Sequence, residues 1–224
     1  MRRFLARVLL AFIVGVCSVN MVAAQELEPL PSRSLMLVYT AMQPEATTLS
    51  QPQAMSERGI EVLKVFESFR TRAYRDGGGG YSIGYGCQTW KGRRVTLRYP
   101  GRVSVAQAEA ELRRQLVAYE DIVRTVSTSL PQEAFDAFAS IAYNLGRVNS
   151  TVCYKIVHQR PITVRDFLST AKVRNRVDWR LQGRRTREFL MMLGDYEAAM
   201  EPVVSPIEVR ETTAMLAKRP VMLF

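Results

Sequence analysis

The sequence predicts an α+β domain over residues 56–195, a small β-hairpin region followed by helices. Three observations lead there. Ser56 opens an amphipathic helical stretch, glycines then cluster between short β-prone pieces, and helical apolar spacing returns and persists to Gly194.

Each element has its own signal. Ser56 reads as an N-cap before EVLKVFESF, where Ile60, Leu63, Phe66 and Phe69 form an apolar stripe. AYRDGGGGYSIGYG, from Ala73 to Gly86, reads as a hairpin or small sheet with a tight loop. Ser104 and Gln107 form a capping box ahead of Ala108, Leu112, Leu116, Tyr119 and Val123 at helical spacing. Phe135, Phe138, Ala142 and Leu145 mark a helix closed by Gly146. Thr163 with Asp166 signals another start, and Arg184 to Leu193 a last helix ending at Gly194.

The ends differ from this centre. Residues 1–24 begin with Arg2 and Arg3, contain no acid, and run through apolar and small residues to Ala23-Ala24. The pattern predicts an export signal or a releasable membrane anchor. Only 17 residues separate Arg7 from Gln25, short of the roughly 20 of a spanning helix. Both forms stay open, and both send the rest of the chain across the inner membrane. Residues 25–55 carry four prolines and read as a linker or arm. Residues 196–224 read as a C-terminal extension, with a short helix between Ile207 and Lys218.

Composition narrows the function classes. With 47% apolar and 23% charged residues in 224, the chain is neither disordered nor a polytopic membrane protein. One His and three Cys argue against a hydrolytic zinc site and exclude a disulfide-dense scaffold. A Cys/His peptidase would have to rely on His158, which reads as a surface residue. The net charge of +10 draws the protein to polyanions. The arginines from Arg174 to Arg187 lie on a helix with its own apolar face and without interleaved stacking aromatics, so nucleic acid is not an expected partner.

Glu67 follows Ile60 by seven residues and Leu63 by four, which places its carboxylate on or beside the apolar stripe. A carboxylic acid desolvated there would be held protonated, as a general acid must be. The same spacing also fits a glutamate that reaches solvent or pairs with an arginine. Asp76, nine residues on, stands at the mouth of the Gly77–Gly80 loop, and Ser82 follows it by six. Asp before Gly is ordinary turn chemistry. Yet two acids, one from a helix end and one from the next hairpin, can flank a glycosidic bond.

FESFRTRAYRDGGGGYSIGYG, Phe66 to Gly86, resembles the active-site segment of phage-type lysozymes, glycoside hydrolase family 24. QEAFDAFASIAYNLG, Gln132 to Gly146, is similar to that family's central helix. The NST at Ser150 resembles the turn after it, and RLQGRRTRE, Arg180 to Glu188, the late arginine motif. The likeness covers about residues 60–195. It implies a two-lobed α+β fold with a cleft between a small β-hairpin lobe and a helical lobe. It also implies a muramidase that cleaves the β-1,4 bond between N-acetylmuramic acid and N-acetylglucosamine in peptidoglycan, with inversion and without a cofactor. By the same resemblance Glu67 is the general acid, Asp76 supports charge or the attacking water, and Ser82 helps hold that water. Tyr143, Asn144 and Ser150 are then substrate-binding. The role in prospect is phage-driven host lysis from the periplasm, or wall penetration by a virion-associated enzyme whose two extensions meet virion proteins. A lysozyme-like module that binds the wall without cutting it is the alternative.

Two positions depart from the family pattern. Ser82 stands where Thr is usual, which keeps the hydroxyl but loses the methyl that restricts its rotamer. Cys87 stands where His is usual. Cys87 reads as an inert thiol, as a disulfide partner of Cys153, or as a partner of Cys17 in an anchor-linked redox exchange.

Overall fold

The structure is a computed structural model that describes residues 52–224 apart from Gly78. Residues 1–24, where an export signal is expected, and the arm as far as Gln51 lie outside the described residues. Among the described residues no helix is long and apolar enough to cross a membrane.

Helix α1 spans Glu57–Glu67, capped by Ser56, whose hydroxyl accepts from the Gly59 amide at 3.1 Å. Its Ile60, Val62 and Leu63 are buried. Strands β1 (Arg70–Arg75) and β2 (Tyr81–Gly84) pair antiparallel, Tyr74 opposite Ser82 and Arg75 opposite Tyr81. A two-residue pair, β3 (Thr89–Trp90) with β4 (Arg93–Arg94), extends this lobe. The long α2 (Val105–Val126) starts at the expected capping box, with Ser104 and Gln107 each bonding the other's backbone. Helix α3 (Gln132–Leu145) ends on Gly146 in the left-handed conformation, φ 70°.

Three further pieces surround α3. Helix α4 (Ser150–Val157) begins at Asn149, whose side chain accepts from the Thr151 amide. Helix α5 (Val164–Leu168) carries the capping box of Thr163 and Asp166. A small hairpin, β5 (Lys172–Val173) with β6 (Arg176–Val177), leads into α6 (Trp179–Met192). Helix α6 begins five residues ahead of the Arg184 start that apolar spacing predicts, because Asp178 accepts from the amides of Arg180 and Leu181. The turn read at Ser150 is the start of α4, capped by Asn149.

The core lies where α3 packs against α6, α2 and α1. Phe135, Phe138, Phe167 and Phe189 are fully buried, and each such side chain contributes about 1.5–3 kcal/mol. Asp136 is the polar pin of this core. Its carboxylate accepts from the Ser56 amide at 2.9 Å, from Gln132 Nε2 at 2.8 Å and from the Tyr196 hydroxyl at 2.7 Å. Gly59 is needed beside it, since a Cβ there would come within 2.7 Å of Asp136 Cγ. Residues 196–224 pack onto α6 through α7 (Tyr196–Met200) and α8 (Pro206–Leu216), burying Val209 and Leu216. Val221 then bridges Ile162 through two backbone hydrogen bonds, 2.9 and 2.8 Å.

Candidate active site

Glu67 is the last residue of α1, and the chain turns sharply after it at Ser68, φ 53°. That turn sends β1 back across the helix end, so a helical acid and a hairpin come face to face. The hairpin closes tightly as well: Ile83 and Cys87 exchange backbone hydrogen bonds of 3.0 and 2.9 Å around Gly84-Tyr85-Gly86. Gly86 carries φ +82°, and a Cβ on it would stand 3.2 Å from Glu67 Oε2. A glycine is required there because the backbone passes directly over the carboxylate.

Glu67 does not face a wholly apolar surround. Arg184 Nη2 lies 2.7 Å from Glu67 Oε1, with the Glu67 side chain 16% exposed. The contact is ionic rather than a well-aligned hydrogen bond, since neither atom has a partner in good geometry. Arg184 also meets Glu188 through Nε at 3.1 Å, and its guanidinium lies over the Phe66 ring at 5.2 Å. Burial opposes the Arg184 charge, and the carboxylates of Glu67 and Glu188 outweigh it, so its pKa is raised. Of the three placements open to Glu67 in the sequence, the one paired with an arginine is found. That arginine comes from the late arginine motif, far along the chain.

Asp76 closes β1. Its Oδ1 accepts from the Gly80 amide at 2.9 Å, and its Oδ2 accepts from the Ser82 hydroxyl at 3.0 Å and from Gln88 Nε2 at 3.1 Å. Ser82 is 3% exposed, on β2 opposite Tyr74. Tyr74 senses both acids. Burial first, then the Glu67 charge and more weakly that of Asp76, raise its hydroxyl pKa, with Arg70 opposing.

Beside this hairpin opens a polar cavity of about 370 Å³. Gly86, Gln88 and Thr89 form one wall, Gln115 and Tyr119 of α2 another, and Tyr143, Asn144 and Gly146 the end of α3. Tyr143 donates its hydroxyl to the Tyr85 carbonyl at 2.8 Å and stacks edge-on against Tyr119 at 5.1 Å. Asn144 accepts from Arg185, which is itself buried in an ion pair with Glu188. Ser150 stands apart as the exposed first residue of α4 and is not part of the cavity wall. The structure thus gathers Glu67, Asp76, Ser82, Tyr143 and Asn144 around the hairpin.

Sequence reasoning missed Gln88, Gln115 and Arg184. Gln88 had one visible cue, its place two residues after the IGYG run. Arg184 had its i,i+4 spacing to Glu188, which marks a shared helix face without revealing what lies beyond.

Cys87 is 1% exposed, with Sγ 3.9 Å from the Tyr143 hydroxyl. Burial pushes its thiol up to about 11, against the opposing contact from Tyr143. Cys87 and Cys153 are both free thiols. Among the described residues no group of His, Cys, Asp and Glu could hold a metal ion.

Comparisons with known proteins bear on the family and the fold. An endolysin of Acyrthosiphon pisum secondary endosymbiont phage 1 is 29% identical over 93 residues, 41% of this chain and 60% of that protein. An endolysin of Bacillus phage PZA is 36% identical over 95 residues, 41% of this chain and 35% of that protein. The chain therefore matches less than two thirds of either relative's length. A solved mutant of P22 lysozyme aligns over 62% of this chain and 98% of its own, at 27% identity and a TM-score of 0.54. Residues 64–188, more than half of the chain, match the phage lysozyme family, and the protein belongs to that family with an α+β lysozyme fold.

Proposed function

We propose that the protein is a muramidase, hydrolysing the β-1,4 bond between N-acetylmuramic acid and N-acetylglucosamine of peptidoglycan during phage-mediated breakdown of the host wall. The observation that carries this reading is the placement of Glu67 under the Gly86 backbone of the hairpin that holds Asp76 and Ser82. In its protonated form, with the Arg184 charge left to Glu188, Glu67 gives its proton to the glycosidic oxygen as the bond from that oxygen to the anomeric carbon breaks. The Asp76 carboxylate supports the positive charge on the sugar and takes a proton from the water that attacks the anomeric carbon. Ser82 and Gln88 hold the Asp76 carboxylate, while Arg184 fixes the rotamer of Glu67. Tyr143 and Asn144 contribute to the polar cavity that receives a sugar ring, and Ser150 binds the strand farther out. Attack by water in this manner inverts the anomeric configuration.

The test is release of reducing ends from purified peptidoglycan by the full chain, beside Glu67→Gln. The wild type releases ends, and the variant loses roughly a thousandfold in rate while still binding the wall. Equal rates would overturn the assignment of Glu67. Soluble stem peptides in place of reducing ends would overturn the muramidase reading itself. Proton NMR of the first products reads the anomer directly, and retention would remove the inverting mechanism.

A further inference from the structure

The hairpin lobe carries a charge asymmetry that the catalytic residues do not use. Between residues 70 and 102 stand eight cations, Arg70, Arg72, Arg75, Lys91, Arg93, Arg94, Arg98 and Arg102, against a single acid, Asp76. All eight are exposed, and none makes an ion pair with any described residue. The neighbouring α2 behaves differently. Its Arg113 meets Glu57 at 2.6 Å and Arg124 meets Asp121 at 2.7 Å, while Arg114 pairs with Glu111.

The lobe's backbone draws these charges together. The Val103 amide bonds the Thr71 carbonyl at 2.9 Å, and the Thr71 hydroxyl donates back to the Val103 carbonyl at 3.0 Å. Arg72 and Arg102 therefore flank one seam, with Arg70 two residues away on β1. Lys91, Arg93 and Arg94 share the β3–β4 pair, and Arg98 follows in the turn between Thr96 and Tyr99. No carboxylate among the described residues pairs with these charges, so an anionic partner would meet them uncompensated.

The lobe's other side chains narrow the partner. Tyr85 and Trp90 are buried, Arg93 lies over Tyr99 at 4.5 Å, and Arg70 over Tyr74 at 5.9 Å. Tyr74, Tyr81 and Tyr99 are only partly exposed, so the described residues of the lobe present no row of open rings on which successive nucleic-acid bases could stack. Leu97 is the one exposed large apolar side chain between residues 70 and 102, too little to enter a bilayer. What remains is a polymer with carboxylates spaced along it. Asp76 and Ser82 stand on the same lobe, so on the muramidase reading a strand bound for cleavage meets this lobe.

We infer that the cationic hairpin lobe is a docking surface for the stem-peptide carboxylates of peptidoglycan, holding the glycan strand while the cleft cuts it. The inference rests on the muramidase reading for its substrate. Binding is measured separately from cutting, so the two readings fail in different ways.

The experiment compares the full chain with the Arg93→Gln/Arg94→Gln/Arg98→Gln variant, and with the same three positions changed to Lys. Cosedimentation with purified peptidoglycan is measured at low and high salt, together with kcat and KM for reducing-end release. The glutamine variant is expected to bind about tenfold more weakly at low salt, to raise KM and to leave kcat within about twofold. The lysine variant is expected to bind like the wild type, and high salt to erase the difference. Peptidoglycan whose carboxylates have been converted to neutral amides is expected to bind wild type and glutamine variant alike. Equal binding of the two proteins to untreated peptidoglycan would overturn the inference. So would undiminished binding of the wild type to the amidated wall, or tighter binding to duplex DNA or anionic lipid vesicles. Salt-dependent binding without any reducing ends would leave the docking surface standing and remove the muramidase reading.

Discussion

Gly86 shows how one residue couples the fold to the chemistry. Its φ of +82° is strained for any side chain, and a Cβ would press on Glu67 Oε2 from 3.2 Å. Gly86→Ala should therefore lose about 1–3 kcal/mol of stability from backbone strain and crowding. It should also lower the rate of reducing-end release more than the stability loss explains, because the carboxylate has to move. Thermal unfolding and kcat measured on the same protein, well below its melting temperature, check this. An unchanged kcat would mean that the hairpin backbone does not set the position of Glu67. The neighbouring position, Cys87, lies sealed under the same turn against Tyr143. Of its three readings in the sequence, the free and buried thiol is what the fold displays among the described residues, while Cys17 lies outside them.

At the scale of elements, α6 matters most for the site because it delivers Arg184 to Glu67. Its first turn depends on the Asp178 carboxylate, which accepts from two backbone amides at 2.9 and 3.0 Å. Asp178→Ala should cost about 1 kcal/mol, as lost N-caps do, and urea denaturation would read it as a lowered midpoint at unchanged m-value. A midpoint within error of wild type would show that packing on α3 alone starts the helix. The same helix explains the limits of reading this chain by sequence. Caps were legible because they are local: Ser56, the Ser104–Gln107 box and Gly146 all stand where the sequence puts them. The start of α6 was misread because its early turns hold Arg180, Gln182 and Gly183, which break the apolar rhythm. The cap at Asp178 carries the signal instead. Within the site, Glu67, Asp76 and Ser82 share one short stretch and could be seen together. Gln88 and Arg184 act through contacts that only the tertiary fold creates.

For the whole molecule, alkaline pH is the condition that tests the packing broadly. Burial lifts the Cys87 thiol from 9.0 to about 11, and it also raises the hydroxyls of Tyr143 and Tyr196, with the Asp136 contact adding to the latter. All three pKa values are raised on folding, so the unfolded chain releases these protons first. Their contribution to stability is complete below pH 9 and declines as pH rises through 9 to 11 and beyond. The Cys87 part alone amounts to roughly 2–3 kcal/mol. Urea midpoints measured from pH 8 to 11 should fall, and Cys87→Ala should flatten the early part of that fall. A level profile would mean that these groups reach solvent in the native state.

The pairing of Val221 with Ile162 also governs when the molecule can come into being on the ribosome. The strand partner of Ile162 and the Leu216 contact are supplied by sequence made long after the hairpin of β1 and β2, so that hairpin emerges well before these contacts exist. Translation thus imposes an order: the hairpin acids are made early, and the Ile162–Val221 pairing can form only after residue 221 has cleared the exit tunnel.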